Sequence, residues 1–182
     1  MKKRFLLVIL IFLAGCAPWM KVGGAYKDTE SNFSVELPQG WMRLNTTKYL
    51  LITRDGPILQ RIIIERDNID EPLKYTKKKL HENMLPQEVA EVIIDDISSS
   101  GALLNFDLIE NVPVTICGRS GFKIVFTHKN REGLNFKSIH SGFMARKYVY
   151  SIRYTAPIRH YFQKDIDTFE KVLGSFELLE AP

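Results

Sequence analysis

His81, His128, His140 and His160 are the four histidines of this 182-residue chain. No two stand at the spacing that sets a pair of ligands on one helical face. His81-Glu82-Asn83-Met84-Leu85 opens like a zinc-protease helix but lacks the second histidine. Single surface histidines are the ordinary reading, although His128 and His140 fall on neighbouring predicted strands that a suitable register would bring together. Gly118-Arg119-Ser120-Gly121 stops one residue short of an esterase nucleophile turn, because Phe122 stands where glycine is required. Cys117 would need a histidine base nearby, and a free cysteine is ordinarily a small buried hydrophobe. Asp95-Asp96 and Asp165-Ile166-Asp167 are the tight carboxylate groups, and adjacent helical positions point apart. These residues predict no catalytic set, no metal site and no cofactor.

Two further groups carry chemistry of another kind. Lys74, Lys77, Lys78 and His81 recur at helical spacing beside Leu73 and Leu80. Such a strip could contact an acidic protein partner or anionic headgroups, at about 1 kcal/mol per basic residue near a charged surface. A solvated helix face is the commoner use of that pattern. Cys16 closes Leu13-Ala14-Gly15-Cys16, directly after Lys2-Lys3-Arg4 and the apolar run from Phe5 to Leu13.

That order of charge, grease and small residues is that of a secretory leader, and the run is too short to cross a bilayer. The four residues ending at Cys16 resemble a bacterial lipobox, which implies cleavage before Cys16 and lipidation of its thiol. Two acyl chains at about 0.8 kcal/mol per buried methylene suffice for anchoring. Ala17 stands where an aspartate would retain a lipoprotein in the inner membrane, so the expected place is the bacterial cell envelope, with the outer membrane facing the periplasm favoured.

Three of the 25 basic residues lie in the leader, leaving 22 against 21 acidic ones. A near-neutral mature chain gives no basic face for nucleic acid. With Cys16 lipidated, Cys117 has no partner, and the remaining ~165 residues form one apolar-cored domain. The division predicted is a leader over 1–15, a coil-like tether over 16–31 and a domain over 32–182.

The elements that must position these residues follow from periodicity. Phe33 to Leu37 alternates, and Leu37-Pro38-Gln39-Gly40 predicts a turn. Strands are expected at Tyr49–Thr53 and Ile58–Glu65 around Asp55-Gly56. One helix is expected to present Leu73, Leu80 and Met84, and a second, starting at Pro86, to present Val89, Ala90, Ile93, Ile94 and Ile97. Further strands are expected at Leu104–Leu108, Val114–Ile116, Phe122–Phe126, Phe136–Met144 and from Tyr148, whose alternate partners Tyr150, Ile152 and Tyr154 share a face. Pro157 predicts a last helix, stopped by Gly174 and followed by a short strand at Ser175–Leu178.

Phe33-Ser34-Val35-Glu36-Leu37-Pro38-Gln39-Gly40-Trp41 resembles the opening strand and turn of PsbP-like proteins. The aromatic strand, Ala156-Pro157, amphipathic helix and Ser175-Phe176 of Tyr148–Leu178 resemble their closing signature. The resemblance implies an α+β fold, an α/β/α sandwich with a largely antiparallel sheet flanked by helices, in the bacterial envelope lipoprotein branch that includes DcrB. It carries over the fold and no functional site.

The expectation is a lipid-anchored, non-catalytic envelope domain docking to a protein complex. The alternative is a small-ligand carrier with a pocket between sheet and helices, lined by Tyr148, Tyr150 and Tyr154. An envelope hydrolase using Cys117 or Ser120 is the third reading.

Overall fold

The structure, a computed structural model, describes residues 18–179. The leader and Cys16 lie outside them. Nine strands and two helices follow in the order β1 (Trp19–Asp28), β2 (Phe33–Leu44), β3 (Leu50–Thr53), β4 (Arg61–Asn68), α1 (Pro86–Ser98), β5 (Leu104–Ile116), β6 (Arg119–Lys129), β7 (Asn135–Ala145), β8 (Tyr148–Pro157), α2 (Gln163–Gly174) and β9 (Glu177–Leu178). One antiparallel sheet runs β1-β2-β3-β4-β8-β7-β6-β5, with β9 on β2. The α+β class and the largely antiparallel sheet agree with the sequence reading.

The alternation of β8 assigns the core. Tyr150, Ile152 and Tyr154 join a cluster with Trp41, Ile62 and the α2 residues Phe169 and Val172. Val149, one position out of phase, joins Phe122, Ile124, Phe126 and the α1 residues Val89, Ala90 and Ile93. Successive strand residues point to opposite faces, so each helix stripe is buried against a different set of strand positions.

Three expectations are corrected. The segment set aside as a tether contains β1, which pairs with β2 from Trp19–Leu44 to Asp28–Phe33. Its period is hidden because β1 is an edge strand, only half-buried at Val22 and Tyr26, and its register on β2 shifts between Val22 and Gly24. The Pro38-Gly40 turn does not end β2. Pro38, Gln39 and Gly40 bulge from β2 opposite Gly23, with Gly40 at φ +78°, and the strand continues to Leu44.

The first of the expected helices is absent, and residues 70–85 form an irregular loop. Asp96 Oδ1 accepts the backbone N–H groups of Tyr75 and Thr76, each at 2.8 Å, and Leu73 N–H donates to Lys78 O. These bonds take donors that a helix would have used, and Lys77 has φ +60°. Leu80 is buried from this loop without a helical face around it.

A cavity between the sheet and α1

The α1-facing side of the sheet is apolar at β6 and polar further in. One row across four strands is Arg61, Thr155, Ser138 and Phe126; the next is Ile63, Arg153, His140 and Ile124. These are the strand positions out of phase with Ile62, Ile64, Ile152 and Tyr154, so the polarity follows from the same alternation that builds the core.

A cavity of about 270 Å³ lies over these rows, bounded on the sheet by Arg61, Ile63, Arg153, Thr155, Ser138, His140, Phe126 and His128. Ile139, Tyr75, Ile97, Ser100, Ala102 and Leu103 complete the lining. A second chamber of about 460 Å³ shares Tyr75, Ile97, His140 and Arg153 with the first, and adds Glu65, Asp67, Glu71 and Asp96. One chamber is therefore lined by cations and imidazoles without a carboxylate, and its neighbour is acidic.

Arg153 Nη2 meets Glu65 Oε1 at 2.6 Å, while its buried Nε has no hydrogen-bond partner. His140, 5% exposed, pairs Nε2 with Ser151 Oγ at 2.9 Å and leaves Nδ1 without a partner. His128 Nδ1 is also buried and unpartnered. Burial, reinforced by the positive charge of Arg153, holds the His140 pKa well below the usual imidazole range; burial and Arg61 lower that of His128. Arg61 donates Nη1 to Pro57 O at 3.0 Å, and burial followed by Arg153 lowers its pKa. Partial burial beside Glu65 pushes the Asp67 carboxyl up to about 6.

The four histidines thus divide. His128 and His140 are buried, against the surface reading, whereas His81 and His160 are exposed. They share a face and the cavity but do not touch, because His140 stands opposite Ile124 and His128 lies four residues on, about 13 Å along the strand. Ser151 and His140 make a hydroxyl–imidazole contact. Nδ1 of that imidazole lacks the orienting carboxylate of a triad, and its low basicity opposes proton abstraction.

Cys117 is exposed at the β5–β6 turn rather than a buried hydrophobe, and partial desolvation of its thiol is the leading cause that raises its pKa. A raised pKa leaves less thiolate. Ser120 is exposed on β6, opposite Thr115. Asp95 meets Lys78 at 2.7 Å, Asp96 ties the loop, and fully buried Asp165 meets Arg54 at 2.9 Å and accepts from Gln60 at 3.1 Å. Among the described residues, no three His, Cys, Asp or Glu side chains are grouped to hold a metal.

The basic strip lies on the irregular loop, not on a helix. Lys74 Nζ sits 5.1 Å from the Tyr75 ring centroid, Lys77 Nζ donates to Lys74 O at 2.8 Å, and Lys78 pairs with Asp95. Tyr150 and Tyr154 are core residues, and none of the three tyrosines expected to line a pocket lines this cavity. Arg61, Ser138, Arg153 and Thr155 were not singled out from the sequence. Their signal was polarity on the strand positions out of phase with the tyrosines.

No protein-family model matches the chain. No curated protein matches it either. Among solved structures, the chain is similar to the cyanobacterial PsbP, CyanoP, of Synechocystis, at 14% identity and TM-score 0.60, covering 91% of this chain and 95% of that one. It is similar to the Ran-binding protein Mog1p of Saccharomyces cerevisiae, at 8% identity and TM-score 0.58, covering 88% and 97%. It is also similar to LpqN of Mycobacterium tuberculosis, described as involved in cell envelope biogenesis, at 12% identity and TM-score 0.55, covering 89% and 91%. At these identities the likeness shows the fold, a PsbP/Mog1-like α+β fold.

Proposed function

We propose that the chain is a bacterial envelope lipoprotein of the DcrB-like branch, non-catalytic, in which Cys16 carries the lipid after removal of residues 1–15 and an α/β/α sandwich docks to an envelope protein complex. The observation that supports it best is the start of β1 at Trp19. Three residues span at most about 11 Å, so a lipid on Cys16 would hold the sheet edge directly against the headgroups rather than on a long tether. The outer membrane, facing the periplasm, is the proposed location, and the involvement of LpqN in cell envelope biogenesis is compatible with it. Lys74, Lys77, Lys78 and His81, exposed on the loop over the sheet, are the proposed contacts with the partner or with headgroups.

The test is fractionation with in-cell cross-linking. The lipidated chain is expected to sediment with outer membranes and to cross-link one recurrent envelope complex, and Cys16→Ser is expected to leave the membrane fraction. Continued sedimentation of Cys16→Ser refutes the anchor, and a correctly placed protein without a recurrent partner refutes docking.

The cavity supports a second reading, a small-ligand carrier. Its buried imidazoles and guanidinium with unpartnered nitrogens are costly groups for a core that binds nothing.

A further inference from the structure

The first chamber holds two guanidinium groups and no carboxylate. Arg153 is already offset by Glu65 at 2.6 Å. Arg61 forms no ion pair among the described residues, and its one side-chain hydrogen bond there goes to a neutral carbonyl. A partly buried charge of this kind is costly unless an anion meets it, so the chamber has room for one negative charge. Beside Arg61, the Ser138 and Thr155 hydroxyls bond to each other at 3.0 Å, leaving acceptor and donor capacity on that pair. His128 and His140, both more than nine-tenths buried, line the same chamber with unpartnered Nδ1 atoms. The apolar part of the lining is Ile63, Ile97, Ala102, Leu103, Phe126 and Ile139, with Tyr75 and Ser100 adding two more hydroxyl-bearing residues.

Resting on the carrier reading, we propose that this chamber binds a small monocarboxylic acid, its carboxylate on the Arg61 guanidinium beside His128 and its apolar body against α1 and β6. A planar carboxylate matches the fork of a guanidinium, and a dianion would leave one charge unmet. The acidic second chamber repels an anion and so fixes which end of the cavity the carboxylate takes. Tyr75, whose amide donates to Asp96, lines both chambers.

The test titrates the mature chain, from residue 16 with Cys16→Ser, with hexanoate, 1-hexanol and hexyl phosphate, followed by side-chain NMR of the histidines. Hexanoate is expected to bind saturably and to move the His128 and His140 resonances, with 1-hexanol at least about tenfold weaker. Arg61→Gln is expected to weaken hexanoate by about tenfold or more and to leave 1-hexanol unchanged. Leu103→Trp, which fills the chamber without touching the charge, is expected to abolish hexanoate binding and decides the matter if Arg61→Gln does not fold. Equal binding of 1-hexanol, tighter binding of hexyl phosphate, or an unchanged hexanoate affinity in Arg61→Gln or Leu103→Trp overturns the assignment. If neither hexanoate nor 1-hexanol binds saturably, the carrier reading falls with it.

Discussion

Asp96, in the last turn of α1, and Tyr75, in the loop that crosses above it, are joined by a hydrogen bond from the Tyr75 backbone N–H to Asp96 Oδ1 at 2.8 Å. The same oxygen accepts from the Thr76 amide at 2.8 Å and the Thr76 hydroxyl at 3.1 Å. One buried carboxylate thus fixes the conformation of the loop that roofs the cavity. Asp96→Ala is expected to cost about 1–3 kcal/mol, because two amides lose their acceptor. Hydrogen exchange should accelerate across residues 73–78 and remain unchanged in β7. Unaltered exchange in the loop would show that its shape does not depend on this bond.

Neutralising the basic strip should separate surface from structure. Lys78 and Asp95 are both substantially exposed, and such pairs contribute roughly 0–1 kcal/mol. Replacing Lys74, Lys77 and Lys78 together with Gln is expected to shift the thermal midpoint little while reducing cross-linking to the partner. Undiminished cross-linking would assign the strip to solvated surface.

Acid should destabilise the protein through its buried imidazoles. His140 is held neutral in the folded state, so the unfolded chain binds the proton first as pH falls past the ordinary imidazole pKa of about 6.5. Stability contributed above that pH is lost progressively below it, by roughly 1–2 kcal/mol between about pH 7 and pH 5. Asp67, pushed up to about 6, acts oppositely, since the folded state takes its proton first. Asp67 keeps contact with solvent despite its partial burial, so its effect is the smaller. Thermal midpoints across this range should fall with pH in the parent, flatten in His140→Gln and steepen in Asp67→Asn. A flat parent profile would contradict the burial of His140.

Gly142 sits in the row Glu65, Ser151, Gly142, Phe122, where a Cβ would lie 2.6 Å from Tyr150 O and 2.7 Å from Phe122 Cζ. Gly142→Ala is expected to cost about 1–3 kcal/mol by overpacking. Gly101, whose Cβ would meet nothing within 4 Å, provides the control, with Gly101→Ala within about 0.5 kcal/mol of the parent. Equal denaturation midpoints for the two variants would refute the close packing at Gly142.

The elements whose period is long and clean were legible in the chain alone. The stripe from Val89 to Ile97 required α1, the spacing of Phe169, Val172 and Leu173 required a helix after Pro157, and the alternation from Tyr148 to Tyr154 required β8. Each of these buries one face, and burial enforces the period that the eye can read. Where burial is partial, the period fails as a guide. β1 leaves its inward alternate residues only half-buried at a sheet edge, and the leucines at 73 and 80 imitate a helix although Asp96, distant in sequence, claims the amides that would have formed it. The cavity was beyond reach for a further reason. Arg61, Ser138, His140 and Arg153 belong to three strands, and only the register of β4 on β8 and β8 on β7 sets them in adjoining rows. A slip of one residue would have turned each of them toward α2, so their meeting is a property of strand pairing and not of any one segment.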